Sequence, residues 1–124
     1  MQHRSSSPQA GDIVFSFIPE ICGKTKGKLR PALVLDVTTK NGLPYLLVAK
    51  GTSQRVEERY SGEFAVQDKE SMSACGLHVP TKFKLHCTEL LPYSESWFVM
   101  KVCGRVPQTS MRDFRDAARE AGLI

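Results

Sequence analysis

The tetrapeptide Thr39-Lys40-Asn41-Gly42 constrains the fold more than any other part of the sequence. Asn and Gly enter the left-handed backbone region at the least cost, and a two-residue turn of that hand joins antiparallel strands without splaying them. Apolar runs lie on both sides: residues 31–37, with Leu33, Val34, Leu35 and Val37, and residues 45–50. The pattern predicts a β-hairpin whose second strand ends in the small polar run Gly51-Thr52-Ser53-Gln54.

The rest of the chain is cut into short pieces in the same way. From Asp12 to Ile18, Ile13, Phe15 and Phe17 alternate with Val14, Ser16 and Ile18, so both faces are largely apolar. That predicts a central or barrel strand ended by Pro19. Residues 20–29 carry two glycines and alternating lysines and are expected to form a mobile loop. Arg55 to Tyr60 reads as charged and exposed, Glu63 to Gln67 as a short strand, and Ser71 to Gly76 as small and polar. In Leu77 to His86, Leu77, Val79, Phe83 and Leu85 alternate with His78, Lys82, Lys84 and His86, and Pro80 predicts an edge or a bulge. Trp97 to Val102 is a further strand, broken at Gly104.

Only the C-terminal segment has helical spacing. Met111, Phe114, Ala117, Ala118 and Ala121 share one face, Ser110 is placed to cap with Asp113 three residues on, and Gly122 is the stop. Short strands followed by one late helix predict a mainly β (α+β) fold: a small antiparallel β-barrel with a C-terminal α-helix. A length of 124 residues fits one domain over 11–124 behind a disordered tail at 1–10, with a core modest enough to suit a dimer.

Charge is distributed unevenly. The net charge is +4, and Lys24, Lys26, Lys28 and Arg30 lie in a stretch without an acid, so the remaining 13 bases balance the 13 acids. Such a strip beside Gly23 and Gly27 can attract a polyanion or serve only as a solvated loop. No apolar stretch approaches the roughly 18 residues of a membrane helix, and the polar N-terminus lacks the apolar centre of a secretory signal. A cytoplasmic protein is therefore expected. Cys22, Cys75, Cys87 and Cys103 form no Cys-x-x-Cys pair and read as free thiols. The Cys75/His78 and His86/Cys87 spacings are a poor match to a zinc site, because adjacent His and Cys on a strand point to opposite faces. No metal and no cofactor is expected.

Several segments, taken in order, resemble the PemK/MazF family of toxin ribonucleases. Gly11-Asp12-Ile13-Val14 is similar to that family's opening strand, and Arg30-Pro31-Ala32-Leu33-Val34-Leu35 to its most telling motif. Thr52-Ser53 sits where the family has a threonine–serine pair, Gly76-Leu77 starts a strand like its late core strand, and Gly104-Arg105-Val106 precedes the last helix. The resemblance implies an SH3-like barrel, usually a homodimer, that cleaves single-stranded RNA without a metal. It also implies an antitoxin partner whose acidic tail occupies the RNA groove.

Cleavage of this kind uses the ribose 2′-hydroxyl as nucleophile. It needs a base, an acid for the leaving 5′-oxygen and stabilisation of the charge on phosphorus. Arg30 suits the last role, since a guanidinium holds two phosphoryl oxygens and stays charged, and Pro31 fixes the backbone behind it. Thr52, at the end of the neighbouring strand, can donate a hydroxyl to the same phosphate, with Ser53 behind it. Family members that use an arginine and an aspartate on the strand after Gly76 have no counterpart here, because 78–84 contains no acid. Thr81 and Lys82 are the nearest polar candidates for catalysis, and His78 or His86 for a proton shuttle. Glu20 is another possible base. Lys24, Lys26, Lys28, Ser53 and His78 are the expected RNA-binding residues.

The alternative is a catalytically silent nucleic-acid- or protein-binding module on the same fold. The gyrase-inhibiting toxins are one version, but they rely on a tryptophan near the C-terminal end. Here the single tryptophan is Trp97, and the chain ends Gly122-Leu123-Ile124.

Overall fold

The computed structural model describes residues 7–17 and 27–124. Six strands form one antiparallel sheet: β1 (Asp12–Ser16), β2 (Arg30–Lys40), β3 (Leu43–Thr52), β4 (Glu63–Val66), β5 (Thr81–Pro92) and β6 (Phe98–Arg105). Their order is β4-β5-β3-β2-β1-β6. Helix α1 (Lys69–Cys75) links β4 to β5, and α2 (Met111–Glu120) follows β6 through a 3₁₀ turn.

The β2–β3 hairpin forms as the turn chemistry requires. Asn41 and Gly42 have φ of 53° and 81°, and Lys40 pairs with Leu43 across them. β1 lies between β2 and β6, which explains its two apolar faces. Alternate residues feed two separate clusters. Ile13, Leu33, Ala49, Phe64, Phe83 and Leu85 pack on one face with Cys75, Ala117 and Ala118 from the helices. Val14, Ala32, Val34, Leu46, Val48 and Phe98 pack on the other, with Trp97 half-buried beside them. Irregularities in the β1–β6, β2–β3 and β3–β5 ladders let the strands bend so that both faces can be covered.

The mainly β class and the C-terminal helix are as expected, but the barrel does not close. Among the described residues β4 and β6 are sheet edges with no ladder between them. Helix α1 spans the gap instead. It was not legible as a helix because seven residues are too few to show a helical period, although both caps are in the sequence. The Asp68 carboxylate accepts from the Ser71 N–H at 2.9 Å, and Gly76 closes the helix at φ 73°. The end of α1 meets β6 backbone to backbone. A Cβ on Gly76 would lie 2.3 Å from the Cys103 carbonyl oxygen, and one on Gly104 2.2 Å from the Cys75 carbonyl carbon. Gly104 therefore does not break β6, which runs on to Arg105; its missing side chain is the seat for α1.

Other boundaries also move. Pro80 lies just before β5, where its missing N–H removes no ladder bond, and β5 is an inner strand between β4 and β3. Helix α2 buries the expected face, with Phe114 5.5 Å from Phe64, and Gly122 ends it at φ 81°. Ser110 does not cap through its side chain; its hydroxyl meets that of Ser71 at 3.1 Å and ties α2 to α1. Of the expected tail, residues 1–6 lie outside the described residues. Pro8 is buried, and the Gln9 N–H donates to Asp12 at 2.8 Å. No helix among the described residues is long and apolar enough to cross a membrane.

Gly104→Ala is expected to cost about 2–3 kcal/mol by overpacking. Gly42→Ala, with nothing within 4 Å of the added methyl, should cost only the roughly 1 kcal/mol of an unfavourable φ. Urea unfolding of the two variants gives the comparison.

Candidate functional site

The sheet register places the two strongest candidates side by side. Ser16 pairs with Arg30, and Thr52 pairs with Lys82, which pairs on its other side with Ala65. The β2–β3 ladder ends at Ala32 opposite Lys50, so two residues further on Arg30 stands opposite Thr52. Both line a cavity of about 330 Å³, together with Lys50, Gly51, Gln54, Lys84 and Cys87.

Gly51 makes this approach possible. A side chain there would meet the Phe83 ring at 2.8 Å and the Pro31 carbonyl at 2.9 Å, so a larger residue would push β3 away from the Arg30–Pro31 backbone. Thr52 accepts the Gln54 N–H at 3.1 Å. This is the turn bond that threonine forms at such positions, and it leaves the hydroxyl proton to be donated into the cavity.

Lys50 and Lys84 were not singled out in the sequence, because each looked like one surface lysine among many. The register turns both toward Arg30. Lys50 has Glu89 4.0 Å away, with both side chains substantially solvated, so that pair weakly offsets its charge. Among the described residues no Asp or Glu lines the cavity. Three cations and a hydroxyl around one opening make an anion site with the donor set that a phosphodiester needs.

A second cavity of about 220 Å³ shares Arg30 and Gly51 with the first and adds Ser53, His78 and Thr81. Ser53 and His78 are exposed there. Thr81 is almost fully buried, and its hydroxyl donates to the Val79 carbonyl at 3.0 Å, so it shapes the wall through its fixed geometry. His86 lies near Gly62 and Ala121 and lines neither cavity. Lys28 is exposed two residues before Arg30. Lys24, Lys26 and Glu20, with most of the expected mobile loop, lie outside the described residues.

Lys82, the other candidate on β5, is held inside the protein. It is 3% exposed, and its ammonium forms an ion pair with Glu63 at 2.9 Å and donates to the Glu58 carbonyl. An amine committed in this way has no proton or charge to spare for a substrate, so Lys82 holds β4 to β5 while Lys84, two residues on, faces the cavity. Burial pushes the Glu63 carboxyl up, but the Tyr60 N–H, Lys82 and Lys84 outweigh it and hold the group below its ordinary 4.5.

The thiols are dispersed. Cys75 is buried, with its pKa raised to about 11 chiefly by that burial, whereas Cys87 is exposed at the first cavity. Among the described residues no group of three His, Cys, Asp or Glu side chains could hold a metal ion.

A family model described as PemK-like, MazF-like toxin of type II toxin–antitoxin system matches residues 9–121. No curated protein matches the chain significantly.

Lys82→Met leaves Glu63 as a buried, uncompensated charge and should destabilise the protein by about 3–5 kcal/mol. The double variant with Glu63→Gln should recover most of the loss. Because Glu63 binds its proton more weakly when folded, its contribution is complete near neutral pH. It is lost as pH falls below about 4.5 and through the lower folded value. Urea titrations of wild type and Glu63→Gln across that range should show a shallower pH slope in the variant.

Proposed function

Because the chain belongs to the PemK-like, MazF-like toxins of type II toxin–antitoxin systems, we propose that it is an endoribonuclease that cleaves single-stranded RNA at the Arg30–Thr52 groove. The observation that carries this reading is that Arg30, Lys50, Lys84 and Thr52 line one opening, where among the described residues there is no carboxylate. The guanidinium and the two ammonium groups hold the non-bridging oxygens of the scissile phosphate. Thr52 donates to one of them.

In the reaction the ribose 2′-oxygen bonds to phosphorus and the bond from phosphorus to the 5′-oxygen breaks. The 2′-hydroxyl proton passes to a base, and the leaving oxygen takes a proton up. His78 borders the groove beside Arg30, and an imidazole can both accept and donate a proton, so it serves as the proton carrier. As Arg30 holds charge that develops only in the transition state, it contributes more to rate than to binding.

The working form is a homodimer in the cytoplasm, silenced by an antitoxin whose acidic segment competes for the same cations. The mechanism requires no metal. A second reading, a binding module without catalysis, is favoured by one observation: among the described residues no Asp or Glu lines either cavity to act as base.

Single-turnover cleavage of a single-stranded RNA in EDTA tests the assignment. Arg30→Ala should lose about a hundredfold in rate, on the order of 3 kcal/mol. Arg30→Lys should also fail largely, because an ammonium makes no two-pronged contact. Thr52→Val should lose less, and His78→Gln, which keeps a polar side chain but carries no proton, should slow cleavage while leaving RNA binding in place. Wild-type RNA binding without cleavage would establish the binding module instead, and a metal requirement would overturn the metal-free mechanism.

A further inference from the structure

The groove does not end at His78. Phe15, Leu77 and His78 line both the 220 Å³ cavity and a third one of about 620 Å³, which runs between α1 and β6 and is also lined by Lys69, Met72 and Lys101. Residues common to neighbouring openings set the three side by side, as a row of cavities forming a channel along the surface from Lys84 past Arg30 to Lys69 and Lys101. Among the described residues no carboxylate lines any part of it. The acid preceding Lys69, Asp68, is engaged in capping α1, and the Ser71 N–H holds its carboxyl below the ordinary range.

We propose that the far end of this channel is a second RNA subsite. There Lys69 and Lys101 hold a phosphate of the same strand whose scissile phosphate lies at Arg30 and Thr52. The inference rests on reading the Arg30 groove as an RNA site. Two cationic ends separated by the partly exposed ring of Phe15 match the alternation of a single strand, whose charged backbone carries flat bases that stack on aromatic side chains. A duplex keeps its base faces stacked and offers nothing to that ring. The subsite thus makes the enzyme prefer extended single strands and places part of its affinity away from the bond that is cut.

The test is the salt dependence of binding to a fluorescein-labelled, fully 2′-O-methylated single-stranded oligoribonucleotide, which binds but has no nucleophile. Lys69→Gln/Lys101→Gln should reduce the slope of log K against log salt by about 0.7, the value for one lost phosphate contact on a single strand. Cleavage of a dinucleotide, too short to reach the far end, should be unchanged. An unchanged slope overturns the subsite, and Arg30→Ala then shows separately whether the cleavage assignment stands. Loss of polyglutamate binding with an unaltered RNA slope also overturns it, as the surface would then serve an acidic peptide. If the slope falls as expected but wild type cleaves neither RNA, the subsite stands and the nuclease reading fails.

Discussion

The register between β2 and β3 sets the position of every group at the candidate site. Both faces of β2 are apolar, with Ala32 and Val34 in one cluster and Leu33 in the other, so the hydrophobic pattern alone does not choose a pairing. The Asn41-Gly42 turn chooses it at one end by setting Lys40 opposite Leu43. Carried unbroken from that turn, the ladder would place Arg30 opposite Ser53. The one-residue shift between Val34 and Asp36 places it opposite Thr52 instead. A single irregularity in the middle of the hairpin thus decides which hydroxyl stands beside the guanidinium.

Across the same row of the sheet, charge is divided between structure and function. Lys82 and Lys84 are two residues apart on β5 and share a face, yet only Lys82 is sealed against Glu63. Glu63 pairs across the ladder with Lys84 but gives its closest contact to Lys82. The buried pair fastens the short edge strand β4, while Lys84 lines the cavity. A lysine that can reach a buried carboxylate is withdrawn from solvent. One that cannot reach it stays where a polyanion can meet it.

Glycine performs a different task at each end of this arrangement. Gly51 lets β3 and the Arg30–Pro31 backbone approach closely, and Gly76 with Gly104 lets α1 rest on β6. The second contact ties the part of the chain between β4 and β5 to the opposite edge of an unclosed sheet. It also forms the wall of the third cavity, because Gly76, Leu77 and Cys103 line that opening. The packing that substitutes for barrel closure therefore also extends the groove.

Local sequence was sufficient for the features that depend on near neighbours. The Asn41-Gly42 hairpin, the two-faced β1, the apolar face of α2 and its Gly122 stop follow from backbone preference and periodicity. The Arg30-Pro31 and Thr52-Ser53 motifs were legible as a family pattern, which the match over 9–121 bears out. Four things were decided only in three dimensions: the shift that pairs Arg30 with Thr52, the burial of Lys82, the recruitment of Lys50 and Lys84, and the role of Gly104 as a seat rather than a break. Each depends on residues distant in sequence, such as Glu63 against Lys82 or Cys75 against Gly104. A side chain's charge and size are written in the sequence, but whether it is neutralised, crowded or exposed depends on which other strand the fold brings beside it.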